Sequence, residues 1–228
     1  MLVNQGIVPF HASEPLNIFQ DLKKKKKCGA LSILLLLPST EITDEGIALG
    51  LPDSNFIHEN RMITHSEIRA IVLSKLKIGH GAMWDLGAAS GSVGIEAASL
   101  CPDLKVYAAE SNRKRFLQMK KNAEKFGLSN YSPYHIDSKE IIGMSVPRPR
   151  CVFVGGGGKD ISEIVKKTFC RLLPGGRLVV AAVMLETKAE LTKCLKNNFI
   201  EAVTISLSRS SSLGKARLMK SENSVDIF

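Results

Sequence analysis

From Leu51 onward, short apolar runs alternate with longer stretches in which apolar residues recur every three or four positions. The runs "AMWDLG", "KVYAAE" and "RCVFVG" are typical of buried strands, and the stretches between them are typical of covering helices. Apolar strands separated by helices indicate a parallel sheet covered on both faces. Two late extended stretches with no helix between them, "EAVTISLS" and "ARLMKSENSVDIF", predict an antiparallel hairpin at the sheet edge.

A helix is predicted just before the first strand, in "MITHSEIRAIVLSKLKIG". Thr64 and Glu67 have the spacing of a capping box, and Gly79 is typical of a helix end. Residues 1–50 lack such periodicity, and their apolar run of about ten residues is too short for a membrane helix. We therefore predict an irregular N-terminal segment at 1–50 and one domain at 51–228, with no membrane segment.

The composition indicates which ligands the protein could bind and in which compartment it would lie. The 228 residues carry a formal net charge of +9, which favours anionic partners such as nucleic acid, phosphates or a polycarboxylate. Five of the positive charges form one lysine run, Lys23 to Lys27, which is typical of a solvated stretch. The cysteines form no CxxC pair and the histidines have no ligand spacing. We expect no metal site and a cytoplasmic protein.

The turn "DLGAASGS" after the first strand is the strongest candidate for a binding site. Gly87 and Gly91 allow a ligand to approach the backbone closely, and the next helix begins with free N–H groups. Asp85 precedes the turn and can orient it or accept hydrogen bonds from a cationic group. Glu110 ends the second strand about 20 residues later, where a carboxylate can accept hydrogen bonds from a ribose diol. This spacing suits NAD and S-adenosylmethionine equally.

Two further features favour S-adenosylmethionine. Asp137 and Ser138 follow the third predicted strand, where an adenine amino group would lie, and "LLPGGRLVV" places a Pro-Gly-Gly turn before the fifth. With the terminal hairpin, this is the layout of an α/β class I S-adenosylmethionine-dependent methyltransferase, with a Rossmann-like seven-stranded sheet. A dinucleotide dehydrogenase would usually carry a larger substrate domain.

Longer motifs resemble one family. "GLPDSNFIHENRMITHSEIRAIVLSKLKI", "WDLGAASGSVGIEAA", "VFVGGGG" and "SRSSSLGKARLMKSENSV" resemble the precorrin-6Y C5,15-methyltransferases, and within them the C15-methylating, decarboxylating domain (cobalt-precorrin-6B C15-methyltransferase). The resemblance covers about Gly50 to Phe228. It implies that a methyl group passes from S-adenosylmethionine to C15 of a precorrin-6B-type tetrapyrrole in cobalamin biosynthesis. It also implies loss of carbon dioxide from the acetate chain at C12.

The resemblance also implies the site residues. The cofactor would contact the turn, the acid that binds the ribose, two residues beside the adenine and one threonine before the first strand: Gly87, Ala88, Ala89, Ser90, Gly91, Glu110, Asp137, Ser138 and Thr64. The glycine run would form the floor of the substrate cleft, with Gly155, Gly156 and Gly157. Many related turns have glycine where this chain has Ala89. Alanine is tolerated there only at a negative φ, so a positive φ at Ala89 would weaken cofactor binding.

The macrocycle carries many carboxylates, which gives the basic charge a purpose. Candidate clamps for its acetate and propionate groups are Arg61, Arg69, Arg148, Arg150 and Arg209. No residue is singled out as a catalytic acid or base. The resemblance also implies a homo-oligomer, often a tetramer, and we interpret residues 1–50 as a remnant of a C5-methylating domain.

Two alternatives stay open. An RNA methyltransferase of the same fold would suit the basic charge, but aromatic residues for base stacking are scarce, so we expect no nucleic-acid partner. A non-catalytic methyltransferase-like subunit would suit Ala89 and the irregular N-terminus.

Overall fold

A computed structural model of the chain shows that the predicted strands form one sheet with helices between them. It describes residues 48–59, 62–156, 158–195, 199–213 and 216–228. The predicted segment 1–50, with its lysine run, lies almost wholly outside these residues, and its interpretation stays a prediction.

The described residues contain nine strands and six α-helices in an alternating order. The strands are β1 Gly81–Leu86, β2 Leu104–Ala109, β3 Tyr131–Tyr134, β4 Cys151–Val154, β5 Arg177–Ala182, β6 Val203–Ile205, β7 Ser208–Leu213, β8 Ala216–Ser221 and β9 Val225–Ile227. The helices are α1 Ser66–Leu76, α2 Ser92–Leu100, α3 Arg113–Lys125, α4 Ser138–Gly143, α5 Ile161–Arg171 and α6 Leu185–Cys194. Short 3₁₀ turns lie at Asp53–Asn55 and Gly158–Asp160.

Seven strands form one sheet in the order β3-β2-β1-β4-β5-β9-β6. Strands β1 to β5 are parallel, and β9 pairs antiparallel with both β5 and β6. The strand order reverses between β1 and β4, which in open α/β sheets is where ligands bind. The glycine turn follows β1, so it lies at this reversal.

Strands β7 and β8 form a separate two-stranded ribbon. Because β6 runs parallel to β5, it ends at the carboxyl edge of the sheet, and the chain continues from there into β7. The predicted terminal hairpin is present in the pairing of β6 with β9. The ribbon between them adds an exposed element at the edge where the glycine turn lies.

The core consists of two apolar layers, one on each face of the sheet. Met83 packs with α1 and α2 on one face, whereas Trp84 and Leu86 pack with α5 on the other. The central strands are therefore apolar throughout, because consecutive side chains enter different layers.

The first helix differs from its prediction at both ends. It begins at Ser66 with His65 as N-cap, and no side chain caps it, so the predicted Thr64–Glu67 capping box is wrong. It ends at Leu76, with Lys77 rather than Gly79 in the left-handed conformation (φ 49°). A capping box does form at α4, between Asp137 and Glu140.

Candidate active site

The glycine turn, residues 87–91, is fastened to the end of β2. Gly87 and Ala88 both donate their N–H groups to the Ala109 carbonyl at 3.0 Å, and Ala89 donates to Glu110 Oε2 at 2.9 Å. Alternate residues of the turn are left-handed, with φ of 70° at Gly87, 49° at Ala89 and 78° at Gly91. The turn and the predicted ribose acid therefore form one hydrogen-bonded unit.

Ala89 does not have the negative φ at which alanine is tolerated without strain. Its φ of 49° lies in the left-handed region, which costs a residue with a Cβ about 1–2 kcal/mol relative to glycine. The hydrogen bond to Glu110 helps to hold it there. The turn keeps its shape, and the alanine is accommodated with strain.

Glu110 lies 3% exposed at the end of β2. Its Oε1 accepts hydrogen bonds from the Asn112 backbone N–H at 2.8 Å and from Arg115 Nε at 3.1 Å. Within the described part of the chain, its Oε2 accepts only the Ala89 N–H. A carboxylate oxygen can accept two hydrogen bonds, so Oε2 has capacity for one further donor such as a ribose hydroxyl.

Asp85 is buried beneath the turn. Its Oδ2 accepts the Gly94 N–H at 3.0 Å, and its Oδ1 has no hydrogen-bond partner among the residues that the structure describes. Burial is the largest cause that raises the pKa of Asp85 to about 7; the nearby Glu110 charge raises it further, and the Gly94 hydrogen bond opposes both. The Gly94 hydrogen bond joins Asp85 to the start of α2, and the role of Asp85 in orienting the turn stays a prediction.

Gly94 is a site residue that the sequence analysis did not identify. A Cβ at this position would lie 2.7 Å from Asp85 Oδ2 and 2.9 Å from the Tyr131 ring. Such contacts are too short for any side chain, so the close approach of Asp85 to α2 requires glycine. Its position in a helix, where glycine is unfavourable, was the signal in the sequence.

The glycine run after β4 lies against the turn. A Cβ on Gly87 would lie 3.0 Å from the Gly156 nitrogen, and Gly155 donates its N–H to the Leu86 carbonyl at 2.9 Å. Gly155 and Gly156 are exposed beside the turn, and their role as the floor of a substrate cleft stays a prediction. Gly157 lies outside the described residues.

Asp137 and Ser138 lie at the carboxyl end of β3 and are half-buried. The Asp137 carboxylate caps α4 by accepting the Lys139 N–H at 2.8 Å. Asp137 therefore has a structural role that the sequence analysis did not assign to it. A contact with adenine stays a prediction for both residues.

Thr64 belongs to a region organised by Arg69. The Arg69 side chain is fully buried and donates to Glu96 Oε2 and to the Thr64 carbonyl, both at 2.5 Å. It also donates to the Leu51 carbonyl and to Asp53. The prediction that Arg69 binds substrate carboxylates is therefore wrong, because its guanidinium is enclosed by protein acceptors.

The remaining predicted arginine clamps lie in different places. Arg150 precedes β4 and donates its N–H to Ala82, at the start of β1, so Arg150 and the nearby Arg148 lie at the edge opposite the turn. These two predictions are also wrong. Arg61 lies outside the described residues. Arg209 lies at the carboxyl edge on β7, where it pairs with Glu67 at the start of α1.

A basic pair stands on the ribbon. Lys220 of β8 lies directly opposite Arg209 of β7, so both side chains are on the same face. Like charges at such positions repel, and Glu67 offsets one of them. This face therefore carries two neighbouring cationic side chains, one of which is paired with Glu67.

The described part of the chain contains neither a candidate metal site nor a helix that could span a membrane. No group of His, Cys, Asp and Glu side chains there could hold a metal ion. Likewise, none of the helices in these residues has the length and apolar character to cross a bilayer.

Comparison with known proteins gives one consistent result. The model of the precorrin methyltransferase domain family matches residues 54–228. A Methanosarcina acetivorans protein, named "Probable cobalt-precorrin-6B C(15)-methyltransferase (decarboxylating)", is 34% identical over 169 residues, covering 72% of this chain and 90% of that protein. A Sinorhizobium precorrin-6Y C(5,15)-methyltransferase [decarboxylating] is 32% identical over 154 residues, which cover 65% of this chain and 37% of that longer protein.

A solved structure agrees with the fold. The crystal structure of a precorrin-6Y C5,15-methyltransferase from Geobacter metallireducens GS-15 aligns with a TM-score of 0.74 at 30% sequence identity. The alignment covers 80% of this chain and 96% of that one. The methyltransferase fold predicted from the sequence is thereby confirmed.

Proposed function

The chain belongs to the precorrin methyltransferase domain family, and from this premise we propose that it methylates C15 of a precorrin-6B-type macrocycle and decarboxylates its C12 acetate chain. The methyl donor would be S-adenosylmethionine. The relatives named above carry the C15-methylating, decarboxylating activity in their names, which supports both reactions.

The hydrogen bond between Ala89 and Glu110 is the observation that carries the cofactor proposal. It joins the glycine turn to the acid of β2 at the reversal of strand order, where a nucleoside would bind across β1 and β2. Glu110 Oε2 would accept a ribose hydroxyl, and the turn would contact the methionine part of the cofactor. Thr64, Asp137 and Ser138 would complete the site.

The proposed methyl transfer depends more on the alignment of donor and acceptor than on acid–base groups. S-adenosylmethionine supplies an electrophilic methyl group, and the electron-rich macrocycle supplies the carbon nucleophile. The protein must align the two and exclude water. Gly155 and Gly156 lie beside the turn and present bare backbone, which allows a flat ring to approach closely.

The carboxylates of the substrate would bind to the ribbon formed by β7 and β8. Arg209 and Lys220 share one face, and the ion pair with Glu67 directs that face toward the start of α1, next to Thr64. We propose that this basic pair binds acetate or propionate groups. This pair would then bind the carboxylates that we predicted for Arg69, Arg148 and Arg150.

Mass spectrometry of a precorrin-6B-type substrate incubated with the protein and S-adenosylmethionine tests the function. We expect gain of one methyl group with loss of carbon dioxide. Glu110→Gln should lose most of the activity at low cofactor concentration, whereas Glu124→Gln, an exposed glutamate on α3, should retain it. An unchanged macrocycle with bound cofactor would overturn the proposed substrate and favour RNA.

A further inference from the structure

Asn122 joins two parts of the molecule that the sequence does not connect. It lies on α3, and its side chain is fully buried. Its Oδ1 accepts the Ile57 N–H at 2.7 Å, and its Nδ2 donates to the Ile57 carbonyl at 2.9 Å and to the Ser90 carbonyl at 2.8 Å. Both amide hydrogens and the amide oxygen are therefore used.

The Ile57 side of this contact belongs to the leading segment, residues 48–59. This segment has few backbone hydrogen bonds of its own and is held by side chains of the helices. Besides Asn122, Glu96 binds its Gly50 and Leu51 amides, and Phe56 stacks on Phe126 with ring centroids 5.2 Å apart. Asn122 thus holds the backbone of the last part of the segment.

The Ser90 side belongs to the glycine turn. Ser90 precedes Gly91, the N-cap of α2, whose carbonyl accepts the first hydrogen bond of the helix from the Ile95 N–H. The Ser90 carbonyl therefore lies outside the hydrogen bonds of the helix. The Ser90 carbonyl receives its hydrogen bond from Asn122. The Asn122 amide is therefore part of what fixes the turn, although it is buried behind it.

We propose that Asn122 is a positioning residue that couples the leading segment to the glycine turn, so that cofactor affinity depends on its amide. This inference rests on the proposed function, because it takes the turn as the cofactor site. Only a carboxamide matches the pattern of one acceptor facing an N–H and two donors facing carbonyls. Aspartate would place oxygen against both carbonyls, and leucine would leave the Ile57 N–H, the Ile57 carbonyl and the Ser90 carbonyl without this partner.

Coupling of this kind is reciprocal. If the Asn122 amide raises the affinity of the turn for S-adenosylmethionine, then the bound cofactor must stabilise the Ile57 hydrogen bonds. Amide hydrogen exchange of the wild-type chain, followed by NMR, measures this directly. We expect S-adenosylmethionine to slow exchange of the Ile57 N–H by about fivefold or more. Slower exchange in the turn with no change at Ile57 would overturn the coupling.

Variants provide the second test. Asn122→Leu and Asn122→Asp are compared with Ala123→Gly, which weakens the same helix at the next residue without touching Ile57 or Ser90. Calorimetry at a temperature where the chains are folded gives Kd for S-adenosylmethionine. We expect Kd to rise about tenfold in the Asn122 variants and less than about twofold in Ala123→Gly. With substrate, KM for the cofactor should rise while kcat at saturating cofactor stays near wild type.

The outcomes separate this inference from the function it rests on. If the wild-type chain binds S-adenosylmethionine and the Asn122 variants bind it equally well, the coupling is wrong and the function stands. If the wild-type chain does not bind S-adenosylmethionine, the proposed function fails and the coupling fails with it. If the Asn122 variants do not fold, the exchange of Ile57 in the wild-type chain decides.

Discussion

Arg69 and Glu96 lie 27 residues apart in the chain and form an ion pair inside the core, with Nε and Oε2 2.5 Å apart. Neither side chain is more than 1% exposed. The pair is enclosed by further partners, since Glu96 also accepts the Gly50 and Leu51 amides and Arg69 also donates to the Thr64 carbonyl. It therefore links α1, α2 and the leading segment through one network.

Removing one charge of this pair should destabilise the fold strongly. We expect Arg69→Met to lower the free energy of unfolding by about 3–5 kcal/mol, because it leaves the Glu96 carboxylate buried without its counter-charge. Urea denaturation measures the change. Lys120→Met, which breaks the exposed pair with Glu124, should cost less than about 1 kcal/mol. Similar losses in both variants would contradict this account of the network.

Ala89 should be improved by glycine. Ala89→Gly removes the strain of a left-handed alanine, which is partly offset by the greater freedom of glycine in the unfolded chain. We expect a gain of about 1 kcal/mol in the free energy of unfolding, measured by urea denaturation, and unchanged or tighter binding of the cofactor. Ala88→Gly is the control, because Ala88 is not among the left-handed residues, and it should not stabilise the protein.

Asp85 should make the stability depend on pH. The pKa of its carboxyl is raised from an ordinary value of 3.8 to about 7, chiefly by burial. Between these two pH values the folded chain holds a proton that the unfolded chain has lost. Stability therefore falls as the pH rises, by up to about 1.4 kcal/mol per pH unit from this group. Above the folded pKa the loss is complete.

Asp85→Asn removes this titration while keeping an acceptor for the Gly94 N–H. We expect the decline between about pH 4 and 7 to become shallower, and the variant to be at least as stable as wild type at pH 8. Urea denaturation at a series of pH values measures both chains. Parallel pH profiles would show that Asp85 is already ionised well below pH 7.

The basic pair on the ribbon predicts a kinetic effect. Lys220→Ala should raise KM for the macrocycle about threefold and leave kcat unchanged, since exposed charges contribute about 1 kcal/mol or less. The effect should fade as salt is added. Lys105→Ala, an exposed lysine near the start of β2, serves as the control. An equal change in KM from both variants would place the substrate elsewhere.

The sequence was most informative where local pattern determines structure. The apolar runs of β1 and β4 identify buried strands, and the turn after β1 with Glu110 after β2 indicates a nucleoside site, because the spacing along the chain sets the geometry. The burial of Arg69 could not be predicted in this way. An arginine is ordinarily exposed, and its partner Glu96 is brought to it only by the packing of α1 on α2.

Two other residues show the same limit. Asn122 looks in the sequence like one more polar residue of a charged helix, and its contacts with Ile57 and Ser90 span 65 and 32 residues. The start of α1 was misplaced because Thr64 and Glu67 fit a capping box by spacing alone. In the structure the Thr64 carbonyl is bound by Arg69, and the helix begins two residues later.

The hydrogen bonds that the Glu96 carboxylate accepts from backbone amides determine the shortest chain that can be expected to fold. The match to the family model begins at residue 54, yet the amides that donate to Glu96 are those of Gly50 and Leu51. A fragment cut at the edge of the alignment would discard two donors to a buried carboxylate. The boundary for expressing this domain is therefore set by hydrogen bonding, several residues before the point where the match to the family model starts.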